Sequence, residues 1–161
     1  MLSIGSKVFI PNYGAGIVEN VEFRKVYDTI YKFVDVTLMI DNMNLSIPFG
    51  RVEAYRMRDI VSKEKLMEAL KIIKEEPKKI EKKWGKRYRE NNDKIYAGEI
   101  SRECEVLRDL YYLKRNNIMP PGEQKILDKA EAIVASEAML VLDISLKKAL
   151  DIIKELGQIN K

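Results

Sequence analysis

The sequence predicts an α+β multidomain chain: a small, strongly bent β-barrel over residues 1–58, then an all-α bundle of about five helices over residues 59–161. Two observations carry this. Residues 1–58 hold short β-branched and aromatic runs divided by turn-forming residues, and from Ser62 the apolar period becomes helical. A third observation bears on function: seven basic residues and a single acid crowd into Lys78–Arg89 around the only tryptophan, Trp84.

Lys7–Ile10 reads as a short strand stopped by the turn-rich Pro11–Gly16. Ile17–Phe23 alternates, with Ile17, Val21 and Phe23 on one face and Val18, Asn20, Glu22 and Arg24 on the other, so Arg24 should reach solvent. Ile30–Ile40 is a longer strand, and Asp41–Asn44 turns the chain into Leu45–Pro48. Val52–Met57 is expected to supply a last strand. Several short strands with tight turns in fewer than sixty residues predict a barrel, an architecture suited to docking.

Ser62 caps the first helix, with Leu66, Leu70 and Ile73 apolar and Pro77 closing it. Ala97-Gly98 precedes a helix over about Glu99–Asn116 that turns Ile100, Cys104, Leu107, Leu110 and Tyr111 inward. Pro120-Pro121-Gly122 is a turn, with Pro121 suited to a first helical position. Gln124–Leu142 is a long helix burying Ile126, Leu127, Ala130, Ile133, Val134 and Ala138. Ser145 caps a final helix through Leu156, with Gly157 at its end.

The chain contains no histidine, which removes the commonest general base and the commonest metal ligand. No zinc-protease, nucleophile-elbow, phosphate-loop or paired-cysteine motif stands in their place, so an enzyme is not expected. The lone Cys104 excludes an internal disulfide, suits a reducing cytoplasm and reads as a small core residue. Neither a signal peptide nor an apolar run of the ~20 residues that a membrane span needs is evident.

Lys78–Arg89 has a formal charge of +6 in a chain of +4, which leaves −2 for everything else. Such a cluster is the electrostatic footprint of a polyanion site, and Trp84 and Tyr88 add stacking or wedging to phosphate attraction. A solvated lysine-rich helix face is the bland alternative. Ile80, Trp84 and Tyr88 also fall at i, i+4 and i+8, a spacing that could bury Trp84. Gly85 and the flanking charges point instead to a helix start that presents the ring.

Taken together, IGSKVFIPNYGAGIVENVE, WGKRYRENNDKIYAGEISRECEVLRDLYYL and GEQKILDKAEAIVASEAML resemble the CarD family (CarD/CdnL) of bacterial transcription regulators over nearly the whole chain. The resemblance implies a Tudor/SH3-like first domain that docks on the β subunit of RNA polymerase through Arg24, Lys25, Ser46 and Pro48. It implies a helical domain at the upstream edge of the melted promoter bubble. There Trp84 would wedge into the minor groove, with Lys86, Arg87 and Arg89 on the DNA backbone. It implies no cofactor, metal, catalysis or membrane, and a cytoplasmic, nucleoid-associated monomer. Two positions depart from the family pattern: Ser46 stands where some relatives carry a basic residue, and Pro120 where relatives often have a serine cap. On residues alone, two other classes stay open: a protein–protein adaptor, and a general nucleic-acid-binding protein that never touches polymerase.

Overall fold

The computed structural model describes residues 2–158. Strands β1 (Lys7–Ile10), β2 (Gly14–Val26), β3 (Thr29–Leu38), β4 (Asn44–Pro48) and β5 (Arg58–Asp59) form one antiparallel sheet in the order β4-β3-β2-β1-β5. Helices α1 (Lys63–Ile73), α2 (Trp84–Ala97), α3 (Ile100–Arg115), α4 (Gln124–Leu142) and α5 (Leu146–Leu156) follow. The expected class, a β module followed by five helices, is the observed one. Among the described residues no helix is long and apolar enough to cross a membrane.

The helix boundaries follow local chemistry. The Ser62 and Ser145 side chains accept the backbone N–H groups of Lys65 and Lys148, satisfying donors that each first turn leaves open. Gly98 ends α2 at φ 76°, and a Cβ there would lie 2.6 Å from Pro11 Cγ, so both conformation and space require glycine. Pro121 opens a 3-10 turn, Pro121–Glu123, that feeds α4.

Two expectations are corrected. Val52–Met57 is not a strand: it follows a 3-10 turn at Phe49–Arg51 and carries Arg56 at φ 55°, and the last strand is Arg58–Asp59. The pairing of β2 with β3 shifts between Val18 and Asn20, and the extra residue of this bulge reverses the faces. Val21 and Phe23 therefore join the face of Val18, which lies in the barrel core with Val34, Val36 and Ile47, and Phe23, paired with Lys32 toward the hairpin end, is 71% exposed. Residues 78–83 are not helical and α2 begins at Trp84, the helix start to which Gly85 and the flanking charges pointed.

The sheet is buried on two sides. Val8, Ile10 and Val18 face the barrel core, whereas Phe9, Ala15 and Ile17 from the same strands pack into the helical core. The seam is close and polar. Gly14, at φ 96°, brings β2 so near α4 that a Cβ would lie 2.8 Å from Ser136 Oγ, and that hydroxyl accepts Ala15 N–H at 2.9 Å. Beside it, the fully buried Glu137 carboxylate takes Arg58 Nη1 at 2.6 Å, Arg58 Nη2 at 2.9 Å and Val61 N at 2.9 Å. Arg58 also donates to Gly98 O and covers the Phe9 ring at 4.1 Å.

Glu103 on α3 is fully buried, and neither carboxyl oxygen has a hydrogen-bond partner. Burial and then the charge of Glu137 push its pKa well above the usual carboxylate range, against a smaller opposing pull from Arg58. The folded state therefore keeps a proton that the unfolded chain releases near the ordinary value of 4.5, and stability falls as pH rises above it. Glu103→Gln mimics the protonated form and should remove this slope. Thermal unfolding from pH 5 to pH 8 is expected to show a smaller decline in Tm for the variant, and a Tm at pH 8 no lower than wild type. A variant that loses stability equally at every pH would show instead that Glu103 is charged in the fold.

Candidate nucleic-acid interface

The basic stretch forms a loop and the first turn of α2. Glu81, its one acid, organises the loop: Oε1 accepts Lys83 N–H at 3.2 Å and Oε2 pairs with Lys86 Nζ at 3.2 Å. Those two contacts, the backbone N–H first, hold its pKa below the usual carboxylate value. Lys83 precedes the helix with no side-chain cap, and the first turn of α2 contains no acid. Cations here stand against the positive end of the helix dipole, a locally unfavourable placement that an approaching anion would relieve.

Trp84 is the first residue of α2 and is 64% exposed, the presented ring that Gly85 pointed to; a Cβ on Gly85 would meet open space. Around it Lys78, Lys79, Lys82, Lys83, Lys86 and Arg89 are all exposed. Beside the ring lies a cleft of about 550 Å³ whose walls include Ile118 and Pro120. Lys86 holds only surface ion pairs, to Glu81 and, at 3.9 Å, to Glu90, and such pairs are weak enough to yield to a phosphate. Arg89 makes no ion pair among the described residues.

Arg87 is placed differently from its neighbours. It is 7% exposed, with Nη2 at 2.6 Å from Glu123 Oε1, Nε at 2.9 Å from the same oxygen and Nη1 donating to Glu81 O at 2.7 Å. Its guanidinium faces the bundle, away from any phosphate that the exposed cations could meet. The sequence gives one hint of this in Glu81, the lone acid of the run. Glu123, 36 residues away, carries no local signal.

On the β module, the register puts Arg24, Ser46 and Pro48 on one face of the sheet and Lys25 on the other. Arg24 is half-buried rather than free. Nε donates to Glu22 at 2.7 Å, Nη1 to Ser46 Oγ at 3.1 Å and Nη2 to Asp35, which also accepts Ser46 Oγ. The guanidinium stacks over Phe33 at 5.0 Å. Burial would raise the pKa of Asp35, but the Ser46 and Arg24 hydrogen bonds outweigh it and hold the carboxyl below its usual value. Ser46 thus hydrogen-bonds the carboxylate whose charge Arg24 neutralises. Sequence alternation misses the exposed apolar strip at the end of this hairpin, which includes Phe23, Tyr27 and Ile30. The signal was present in Val18 and Val21, apolar residues three apart in a strand.

The family described as "CarD, C-terminal domain" matches residues 68–154, just over half of the chain. Over 148 residues the chain is 29% identical to "Putative transcription factor YdeB" of Bacillus subtilis (strain 168), covering 92% of this chain and 97% of that protein. Among solved structures, the solution NMR structure of the 72-residue N-terminal domain of Myxococcus xanthus CarD is 27% identical over 37% of this chain and 79% of its own, with a TM-score of 0.32.

Because Arg24 satisfies Asp35 and Glu22, Arg24→Glu should lower Tm clearly more than Lys25→Glu, which alters an exposed neighbour on the opposite face. Equal Tm values for the two variants would mean that the Arg24 contacts contribute nothing to the sheet.

Proposed function

The chain belongs to the CarD family, and on that premise we propose a transcription regulator that docks on the β subunit of RNA polymerase and holds the promoter open complex through the minor groove at the upstream edge of the bubble. One observation supports the DNA half above the others: the single tryptophan stands exposed at a helix start among six exposed cations. A minor-groove wedge needs a rigid apolar plate with cations that hold it in register against the phosphates. Lysine and arginine contacts to phosphate position a protein without reading sequence. The site is therefore sequence-tolerant, and its address comes from polymerase.

For the polymerase half, the exposed strip of Phe23, Tyr27 and Ile30 is a face that solvent alone does not explain, and Lys25 and Lys32 flank it. Arg24, fixed by Glu22, Asp35 and Ser46 on the other side of the hairpin, supports that face and keeps one further N–H on each Nη for a partner carboxylate. Division of the chain near Asp59 into a docking unit and a DNA unit follows from this reading.

Trp84→Ala should leave Tm unchanged, because the ring is mostly in water, and should shorten the open-complex lifetime. Loss of an aromatic–base contact is worth roughly 1–3 kcal/mol. Competitor-challenged decay of a polymerase–promoter complex measures this, and an unchanged lifetime in the folded variant would rule out the wedge.

Salt dependence counts the phosphates. Lys86 and Arg89 alone predict a slope of log K against log salt of about −1.8 on duplex DNA, steeper by about 0.9 for each loop lysine that joins. Arg87, whose guanidinium is occupied, should add nothing. Titration of the isolated protein onto duplex at several salt concentrations reads the slope. A slope near zero would remove phosphate contact from the mechanism.

A further inference from the structure

Arg87 and Glu123 are an investment that the phosphate-contact reading leaves unused. Both are almost fully enclosed, in a chain whose other cations of Lys78–Arg89 are exposed. Replacing such a pair by apolar residues of similar size is often neutral for stability, so stability alone does not account for it. Its connections do. Glu123 is the last residue of the 3-10 turn ahead of α4, with its N–H bonded to Pro120 O at 3.0 Å, so its carboxylate is fixed to the longest helix of the core. Arg87 takes both oxygens of that carboxylate and, from the other side of its fork, Glu81 O at 2.7 Å. Its own backbone N–H takes Lys83 O at 2.9 Å. The two carbonyls that bracket the approach to Trp84 are thus held by one residue, and that residue is held by α4.

We propose that Glu123, acting through Arg87, is a positioning residue that fixes the angle and mobility of the Trp84 ring, so that the ring is presented as a rigid plate rather than as a frayed first turn. The first turn needs such a device. It has no side-chain cap, no acid and a glycine at its second residue, and each of these favours fraying. Arginine suits the task where lysine would not, since a planar fork can serve a carboxylate and a carbonyl together. The inference rests on the reading that Trp84 touches DNA, but the state of the ring can be measured without DNA.

Because Trp84 is the only tryptophan, its fluorescence anisotropy and its quenching by acrylamide report this ring alone. The decisive variant is the double substitution Arg87→Met/Glu123→Leu, which removes the pair and leaves no charge stranded. The control is Lys147→Met/Asp151→Leu, which removes an exposed pair on α5. In the free full-length protein the double variant should keep a Tm near wild type while Trp84 anisotropy falls and its quenching constant rises at least 1.5-fold. On a polymerase–promoter complex its open-complex lifetime should fall at least threefold, and adding Trp84→Ala to it should cause little further loss. The control should change neither readout.

Arg87→Lys keeps the charge beside Glu123 and cannot also hold Glu81 O, so it should give intermediate anisotropy and an intermediate lifetime. It serves as the test if the double variant does not fold. Wild-type anisotropy in a folded clamp variant would overturn the proposal, as would a wild-type lifetime with a loosened ring. If Trp84→Ala alone leaves the lifetime unchanged, the DNA-contact reading fails and the functional part of this inference fails with it. Anisotropy would still decide whether the clamp holds the ring.

Discussion

Everything else in the fold is arranged around a carboxylate sealed between sheet and helices. Glu137 sits on α4 with no exposure, and its three donors come from Arg58 in the last strand and Val61 just before α1. An ionised group in such a place is tolerable only when its lone pairs are met, and removing one partner strands the other. Arg58 meets them and reaches on to Gly98 O at the α2–α3 corner, so one guanidinium ties β5, α4 and the end of α2 together. The nearby Ala15–Ser136 bond and the missing side chain of Gly14 allow the approach that this network needs.

Acidic residues decide what each cation of the chain does. Arg58 and Arg87 are drawn inward by Glu137 and Glu123, and Arg24 is held at the sheet surface by Asp35. The exposed cations of the loop and first turn around Trp84 meet, among the described residues, only Glu81 and Glu90, and stay in water. A chain whose formal charge is only +4 therefore presents a positive patch, because carboxylates pair with Arg24, Arg58 and Arg87 and leave five lysines and Arg89 facing outward around Trp84. The arginine–lysine split is itself physical: arginine's fork satisfies several buried acceptors, while lysine's compact, strongly hydrated head favours the surface.

What the sequence made legible was local. Ser62, Ser145 and Gly98 act within a few residues of themselves, and the caps and turn that they predict are present. The inward faces of α3 and α4 follow from their period, and the exposed Trp84 from the glycine and charges beside it. What was hidden depends on residues far apart in the chain. Arg87 reads as one more cation until Glu123 is found beside it, 36 positions on, and Arg24 reads as free until β3 and β4 supply Asp35 and Ser46. The bulge near Glu19 defeated alternation for a simpler reason. A single extra residue reverses every later side chain of the strand, so Val21 and Phe23 left the face of Ile17 for that of Val18.

The two-sided burial of β1 and β2 has a consequence for avidity. Phe9, Ala15 and Ile17 serve the helical core from the same strands whose other face fills the barrel, so no flexible tether separates the hairpin end from Trp84. For a protein that holds two partners at once, the second contact then forms at an effective concentration set by geometry instead of linker length. On the function proposed above, a DNA affinity too weak to matter in free solution would become sufficient once the sheet is anchored. The same rigidity makes the arrangement intolerant of spacing: a partner displaced by a few ångströms loses the second contact altogether, and the fold acts as a gauge of distance.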